Sequence, residues 1–164
     1  MLIEDPAKNR KGRRPLRVYA ETSVFGGYFD KEFSEVTRKF FEEIKAGKFI
    51  LIISVTTLGE LDRAPVQVLE LVRDLPGERV EMIDLTDEMM ALRDSYIRAK
   101  VVGPGSRLDA EHIACATVAG ADLIVSWNFR HIVHYEKIRG YQAVNIFQGY
   151  PAIPIHSPRE VIEP

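Results

Sequence analysis

The sequence predicts an α/β fold: a three-layer α/β/α sandwich around a central, mainly parallel sheet. Three observations predict it. Short apolar runs alternate along the chain with longer segments of helical periodicity, the order that parallel strands joined by helices require. One run, Phe49–Ser54, is almost wholly apolar, as in a sheet covered on both faces. The length of 164 residues suits one domain, since domains usually take about 100–200. A chain of about 150 residues buries ~70% of its unfolded surface, enough for a core without disulfide or metal staples.

Residues 1–15 are polar and carry Lys8, Arg10, Lys11, Arg13 and Arg14 before Pro15. They read as a flexible basic arm, or as a solvated tail without a role. Residues 16–164 then read as a single domain. Leu16–Ala20 is a short buried strand. Ser34–Ala46 is a helix, with Val36, Phe40 and Ile44 on one face and Gly47 as its stop. Phe49–Ser54 is the second strand. Thr57–Ala64 is a short helix interrupted by Pro65. Val66–Leu75 continues helically to the turn signal Pro76-Gly77. Val80–Leu85 is a further strand.

Thr86–Val101 is a helix that Thr86 can cap, with Asp87 and Glu88 suited to its first turn. Met89, Leu92, Tyr96 and Ala99 form its apolar stripe. After the loop Gly103-Pro104-Gly105, Leu108–Ala119 is a helix with Ser106 as candidate cap and Gly120 as stop. Leu123–Ser126 is a strand, and Ala143–Phe147 reads as another. In such sheets chemistry gathers at the carboxyl ends of the strands, where the strand order reverses.

Composition narrows the function classes. Hydrophobic residues make up 46% and charged residues 28%, which excludes a disordered chain or a fibre. No apolar run approaches the ~20 residues of a membrane-spanning helix. The formal net charge of −2 excludes a whole-surface basic field for duplex DNA, though not a local basic patch. The single cysteine, Cys115, permits no intrachain disulfide. With no apolar leader at the N-terminus, the expected compartment is the cytoplasm. There is no G-x-G-x-x-G and no G-K-[ST], so a nucleotide cofactor is poorly supported.

Four polar residues fall near strand ends or helix starts: Glu21, Glu60, Asp109 and Asn128. Carboxylate oxygens suit Mg2+ or Mn2+, and such a cation can activate water and neutralise charge on a phosphate. Each residue also has a structural reading. Thr57–Glu60 and Ser106–Asp109 have the form of capping boxes. Asn128 is a candidate cap for a short helix from Phe129, and Glu21 a surface residue beside a turn. His131 and His134 lack the partners of a zinc site. His112 reads as a packed or surface residue, and Cys115 as a buried, inert thiol.

The same positions carry a family resemblance. Val18-Tyr19-Ala20-Glu21-Thr22-Ser23-Val24 resembles the opening strand of PIN domains, which usually runs through hydrophobic residues to Asp and a Thr-Ser-like pair. Ile53-Ser54-Val55 through Glu60-Leu61 is similar to their second motif, where a Glu opens a helix. Leu108-Asp109-Ala110-Glu111-His112-Ile113-Ala114 resembles the third, Asp-Ala-x-x-x-Ala. Ala121 to Phe129, with Ser126-Trp127-Asn128, resembles the fourth, often Thr-x-Asp-x-x-Phe. The order covers Arg17 to about Phe147, and the tail Ile155–Val161 is similar to that of one prokaryotic subgroup.

The resemblance implies a PIN-like α/β/α sandwich and an Mg2+- or Mn2+-dependent ribonuclease, in many relatives a VapC-type toxin neutralised by an antitoxin protein. It implies a homodimer. Carried over by position, Glu21, Glu60 and Asp109 hold metal, Asn128 takes the place of a fourth acid, and Thr22 or Ser126 assists through a hydroxyl. Arg107, Arg130, Lys137 or the basic arm are the candidates to grip RNA phosphates. Glu21 in place of Asp lengthens the side chain by one CH2, about 1.5 Å. Asn128 in place of Asp removes a charge. These two departures keep a second expectation open: a catalytically weak or inactive module that binds RNA or a partner protein.

Overall fold

In the computed structural model, which describes residues 14–164, the sheet is built on β1 (Leu16–Ala20). β2 (Phe49–Ser54) and β4 (Leu123–Val125) flank it, with β3 (Val80–Ile83) and β5 (Ile155–His156) outside them. All pairs are parallel and the order is β3-β2-β1-β4-β5. The chain steps from the centre to one edge, then returns to build the other side. The order therefore reverses between β1 and β4, and the crevice at their carboxyl ends is the expected site position. The arm expected over residues 1–15 falls almost wholly outside the described residues.

Side chains alternate across the sheet, as the strand period of 2 demands. Tyr19, Ile52 and Ile124 face one side, where α5 (Asp87–Arg98) and α6 (Arg107–Val118) cover them together with α7 (Tyr135–Phe147). Val18, Ala20, Leu51, Ile53, Leu123 and Val125 face the other. There α1 (Thr22–Gly27), α2 (Ser34–Lys45), α3 (Val55–Leu61) and α4 (Val66–Arg73) close the second layer. Both faces are buried, which is why β2 reads as an apolar run. A short α8 (Pro158–Val161) follows β5. Among the described residues no helix is long and apolar enough to cross a membrane.

One expected strand is a helix. Ala143–Phe147 forms the end of α7, and the strand beside β4 is Ile155–His156 instead. A five-residue apolar run does not reveal its period. Read over the whole helix, Ile138, Tyr141 and Val144 line the core at helical spacing. Ile146 and Phe147 are 65% and 88% exposed, which no central strand would tolerate. The expected capping boxes are corrected too. Ser54, not Thr57, caps α3, its side chain accepting from the Thr57 amide at 3.1 Å. Ser106 makes no side-chain cap on α6. Thr86 caps α5 as expected.

Candidate functional site

Glu21 leaves β1 at the reversal point. Its amide donates to the Val125 carbonyl at 3.0 Å, so the backbone there is still bound to β4. The side chain is 5% exposed. Its Oε2 accepts two hydroxyls, Ser23 Oγ at 2.5 Å and Ser126 Oγ at 2.6 Å. Each serine oxygen in turn accepts a backbone amide, Trp127 onto Ser23 and Asn128 onto Ser126, both at 2.9 Å. Donors thus run from the backbone after β4, through two hydroxyls, onto one carboxylate oxygen. Hydrogen bonds to an ionised acceptor are the stronger kind.

Glu60 lies in the last turn of α3, and its carboxylate bonds away from its own helix end. Oε1 accepts Thr22 Oγ1 at 3.0 Å and His112 Nε2 at 2.5 Å. Burial works against its charge. The His112 hydrogen bond and charge, with Thr22 and Arg63, outweigh that and hold the carboxyl below its usual range. His112 is 1% exposed, and its Nδ1 meets the Tyr19 hydroxyl at 2.6 Å. The sequence puts His112 three after Asp109, on one helix face and within reach of the site, yet favours a packed or surface residue; the structure gives it two bonded ring nitrogens.

Asp109 lies in the first turn of α6, half-buried. Asn128 Nδ2 donates to its Oδ1 at 3.2 Å. The Asn128 Oδ1 accepts the amides of Arg130 and His131 at 3.2 and 2.9 Å. Those amides need an acceptor, so the side-chain oxygen faces the turn and its NH2 faces Asp109. Burial raises the Asp109 carboxyl above its usual range, and Glu21 and Glu60 add repulsion against the pull of His131 and His112. The structure therefore brings Glu21, Glu60, Asp109 and Asn128 to one end of the sheet, with Thr22 and Ser126 bonded to the acids.

The basic candidates divide. Arg130 is exposed in the turn that Asn128 closes. Arg107, at the start of α6, lines a surface hollow with Asp94, Ile97, Arg98 and Pro104. Lys137 is engaged elsewhere, its Nζ donating to the Val101 carbonyl at 2.8 Å.

The donor set fits a hard divalent cation, since carboxylate oxygens are what Mg2+ and Mn2+ prefer. The protein uses only one oxygen of each acid: Glu21 Oε2, Glu60 Oε1 and Asp109 Oδ1. Among the described residues the second oxygen of each has no protein hydrogen bond, yet the buried side-chain atom left without a partner is Glu43 Oε2. The three spare oxygens therefore meet solvent. As they stand, no three or more His, Cys, Asp or Glu side chains among the described residues are grouped so as to hold a metal ion. Mutual repulsion at Asp109 is what such unbridged carboxylates show.

No protein-family model matches the sequence, and no curated protein matches it. Solved structures do. A chain of VapBC2 from Rickettsia felis, bound to a DNA fragment from their promoter, aligns with a TM-score of 0.56 at 14% identity, over 87% of this chain and 98% of that one. A chain of DNA-bound VapBC from Salmonella typhimurium aligns at 0.50 and 21% identity, over 87% and 98%. At these identities the likeness is one of fold. The architecture is PIN-like: a five-stranded parallel sheet flanked by helices.

Proposed function

We propose that this PIN-like chain is a metal-dependent endoribonuclease, acting as a VapC-like toxin restrained by an antitoxin protein. One observation carries the reading. Three acids from three different elements gather at the strand reversal, each with one oxygen fixed by the protein and one open to solvent. Glu21, Glu60 and Asp109 would hold Mg2+ or Mn2+. The cation supplies positive charge for a phosphate in its transition state and makes water more acidic.

The remaining residues have roles set by their bonds. Thr22 and Ser126 spend their hydroxyls on Glu60 and Glu21, so they orient acids rather than touch RNA. Asn128 holds Asp109. Glu21 keeps its longer side chain by folding the tip onto Ser23 and Ser126. Arg130, exposed beside Asn128, is the first candidate to grip an RNA phosphate, with Arg107 as a further contact. Binding is then salt-sensitive. Products would carry 5′-phosphate and 3′-hydroxyl ends, and the active form would be a homodimer.

A second reading is a module that binds RNA or a partner protein without cutting. The neutral Asn128 and the absence, among the described residues, of three or more His, Cys, Asp or Glu side chains grouped so as to hold a metal ion favour it. One experiment separates the two. Mixed-sequence single-stranded RNA is incubated with the protein in Mn2+, Mg2+ or EDTA, beside an Asp109→Asn variant. Cleavage that needs metal and vanishes in the variant supports the nuclease. Intact RNA that is nevertheless bound supports the module.

A further inference from the structure

We infer that His112 is the positioning residue of Glu60: it fixes one carboxylate oxygen so that the other is presented to a metal. The inference rests on the reading of Glu60 as a ligand. His112 is buried in α6, beside the ion-paired Glu111 and before the apolar Ile113-Ala114. Both of its ring nitrogens are bonded, Nδ1 to Tyr19 and Nε2 to Glu60.

A carboxylate only accepts, so His112 Nε2 donates to Glu60 Oε1. Nδ1 stays bonded to the Tyr19 hydroxyl in both charge states, accepting from it in the neutral ring and donating to it in the protonated one, and the Tyr19 oxygen lies 2.7 Å from Ser54 Oγ. Ser54 Oγ accepts the Thr57 amide at 3.1 Å. The chain begins on the backbone of α3 and ends on the side chain of α3, passing through β1 and α6 on the way. Thr22 supplies a second donor to the same oxygen. Glu60 Oε1 is thus saturated, and Oε2 is the oxygen left over.

The placement links two ligands. Asp109 and His112 are three apart on α6, so one rigid helix carries one acid and the holder of another. The Glu60–Asp109 separation is then set by helix geometry rather than by two free rotors. Partners that orient a metal ligand are typically worth 10–100-fold in affinity.

The test is Mn2+ affinity by titration calorimetry, with melting temperature as a separate readout. The amide nitrogen of His112→Gln falls where Nε2 stands and can donate to Glu60. The amide of His112→Asn falls where Nδ1 stands and reaches only Tyr19. His112→Asn is expected to weaken Mn2+ binding roughly 10–100-fold, and His112→Gln to recover affinity to within about 3-fold of the native chain. Equal affinity in the native chain and both variants overturns the inference and leaves the ligand reading intact. Equal losses in both variants, matched by equal falls in melting temperature, overturn it in favour of a packing role. A native chain that binds no Mn2+ overturns the ligand reading itself. If His112→Asn does not fold, Tyr19→Phe carries the test: about 5-fold weaker binding is expected, and unchanged affinity overturns the inference.

Discussion

Asn128 and Asp109 meet through one hydrogen bond, Nδ2 to Oδ1 at 3.2 Å, and that bond steadies a carboxyl which its surroundings push toward the neutral form. Burial acts first, then repulsion from Glu21. The folded-state pKa is raised, so ionised Asp109 weakens the metal-free fold at every pH above that value. The penalty fades as pH falls through the raised value toward the ordinary aspartate range. Asp109→Asn is therefore expected to melt about 1–2 °C higher than the native chain at pH 7 without metal, the exposed half of the site screening the gain. Near pH 3 the difference closes. Added Mn2+ reverses the order at pH 7. Melting curves at both pH values check this, and a variant less stable at pH 7 without metal overturns it.

The Arg93–Glu111 pair is buried between α5 and α6. Arg93 Nη1 stands 2.6 Å from Glu111 Oε1, and Thr56 Oγ1 donates to Oε2 at 2.7 Å. Without Glu111, Arg93 keeps one acidic partner, Asp94 Oδ1 at 3.0 Å from its Nε, so the loss falls at the low end of the ~3–5 kcal/mol that breaking a buried pair costs. Glu111→Ala is expected to lower the melting temperature by roughly 10 °C. Thermal denaturation decides it, and a fall of only a degree or two would mean that the bond to Asp94 is enough to hold the guanidinium.

Gly27 has no room for a side chain. A Cβ there would stand 2.8 Å from Trp127 Cδ1 and Nε1. The indole has little freedom to give way, stacked on Phe33 at 4.3 Å and bonded to Thr37 Oγ1 at 2.9 Å, and that Oγ1 would itself stand 3.0 Å from the new Cβ. Gly27→Ala should destabilise the fold by about 1–3 kcal/mol. It should also shift the emission of the single tryptophan. Because Trp127 lies between Ser126 and Asn128, RNA cleavage should fall by up to ~10²-fold. Fluorescence and kcat/KM, measured on the folded variant, check the two effects separately.

Cys115 is buried in α6, and its thiol is pushed up to about 11 by burial, against partial relief from Thr56. At pH 8 the thiolate is then about one molecule in 10³. Labelling by a thiol-specific disulfide reagent should proceed only as the chain opens, and denaturant should make it immediate. Rapid labelling of the native protein would contradict the burial.

The strands were the most legible part of the sequence. β1 and β2 are uninterrupted or nearly so because both faces are covered, and their bounds are those the runs suggest. Ala143–Phe147 misled because its apolar residues cluster at a helix end where two of them face outward. Helix α1 was missed because six residues, two of them glycine, hold too little periodicity to reveal a helix. At the site, Glu21 and Asp109 were legible from their positions after a strand and in a first turn, whereas Glu60 stands in the last turn of its helix rather than near the start. Of the residues that hold them, Thr22 and Ser126 were expected from the family resemblance, whereas Ser23, only two residues from Glu21, and His112 were not. His112 reaches Glu60 across 52 positions of sequence, and no local spacing encodes such a contact.

The junction of β1 with β4 has a consequence for biosynthesis. Glu21 emerges early, but the hydroxyl of Ser126 that clasps it is made 105 residues later. Pairing across so long a loop is among the slower events of folding. A chain still leaving the ribosome thus carries its first acid with only the nearby Ser23 of its two clasping hydroxyls. The complete clasp forms only once β4 has been made and has paired with β1.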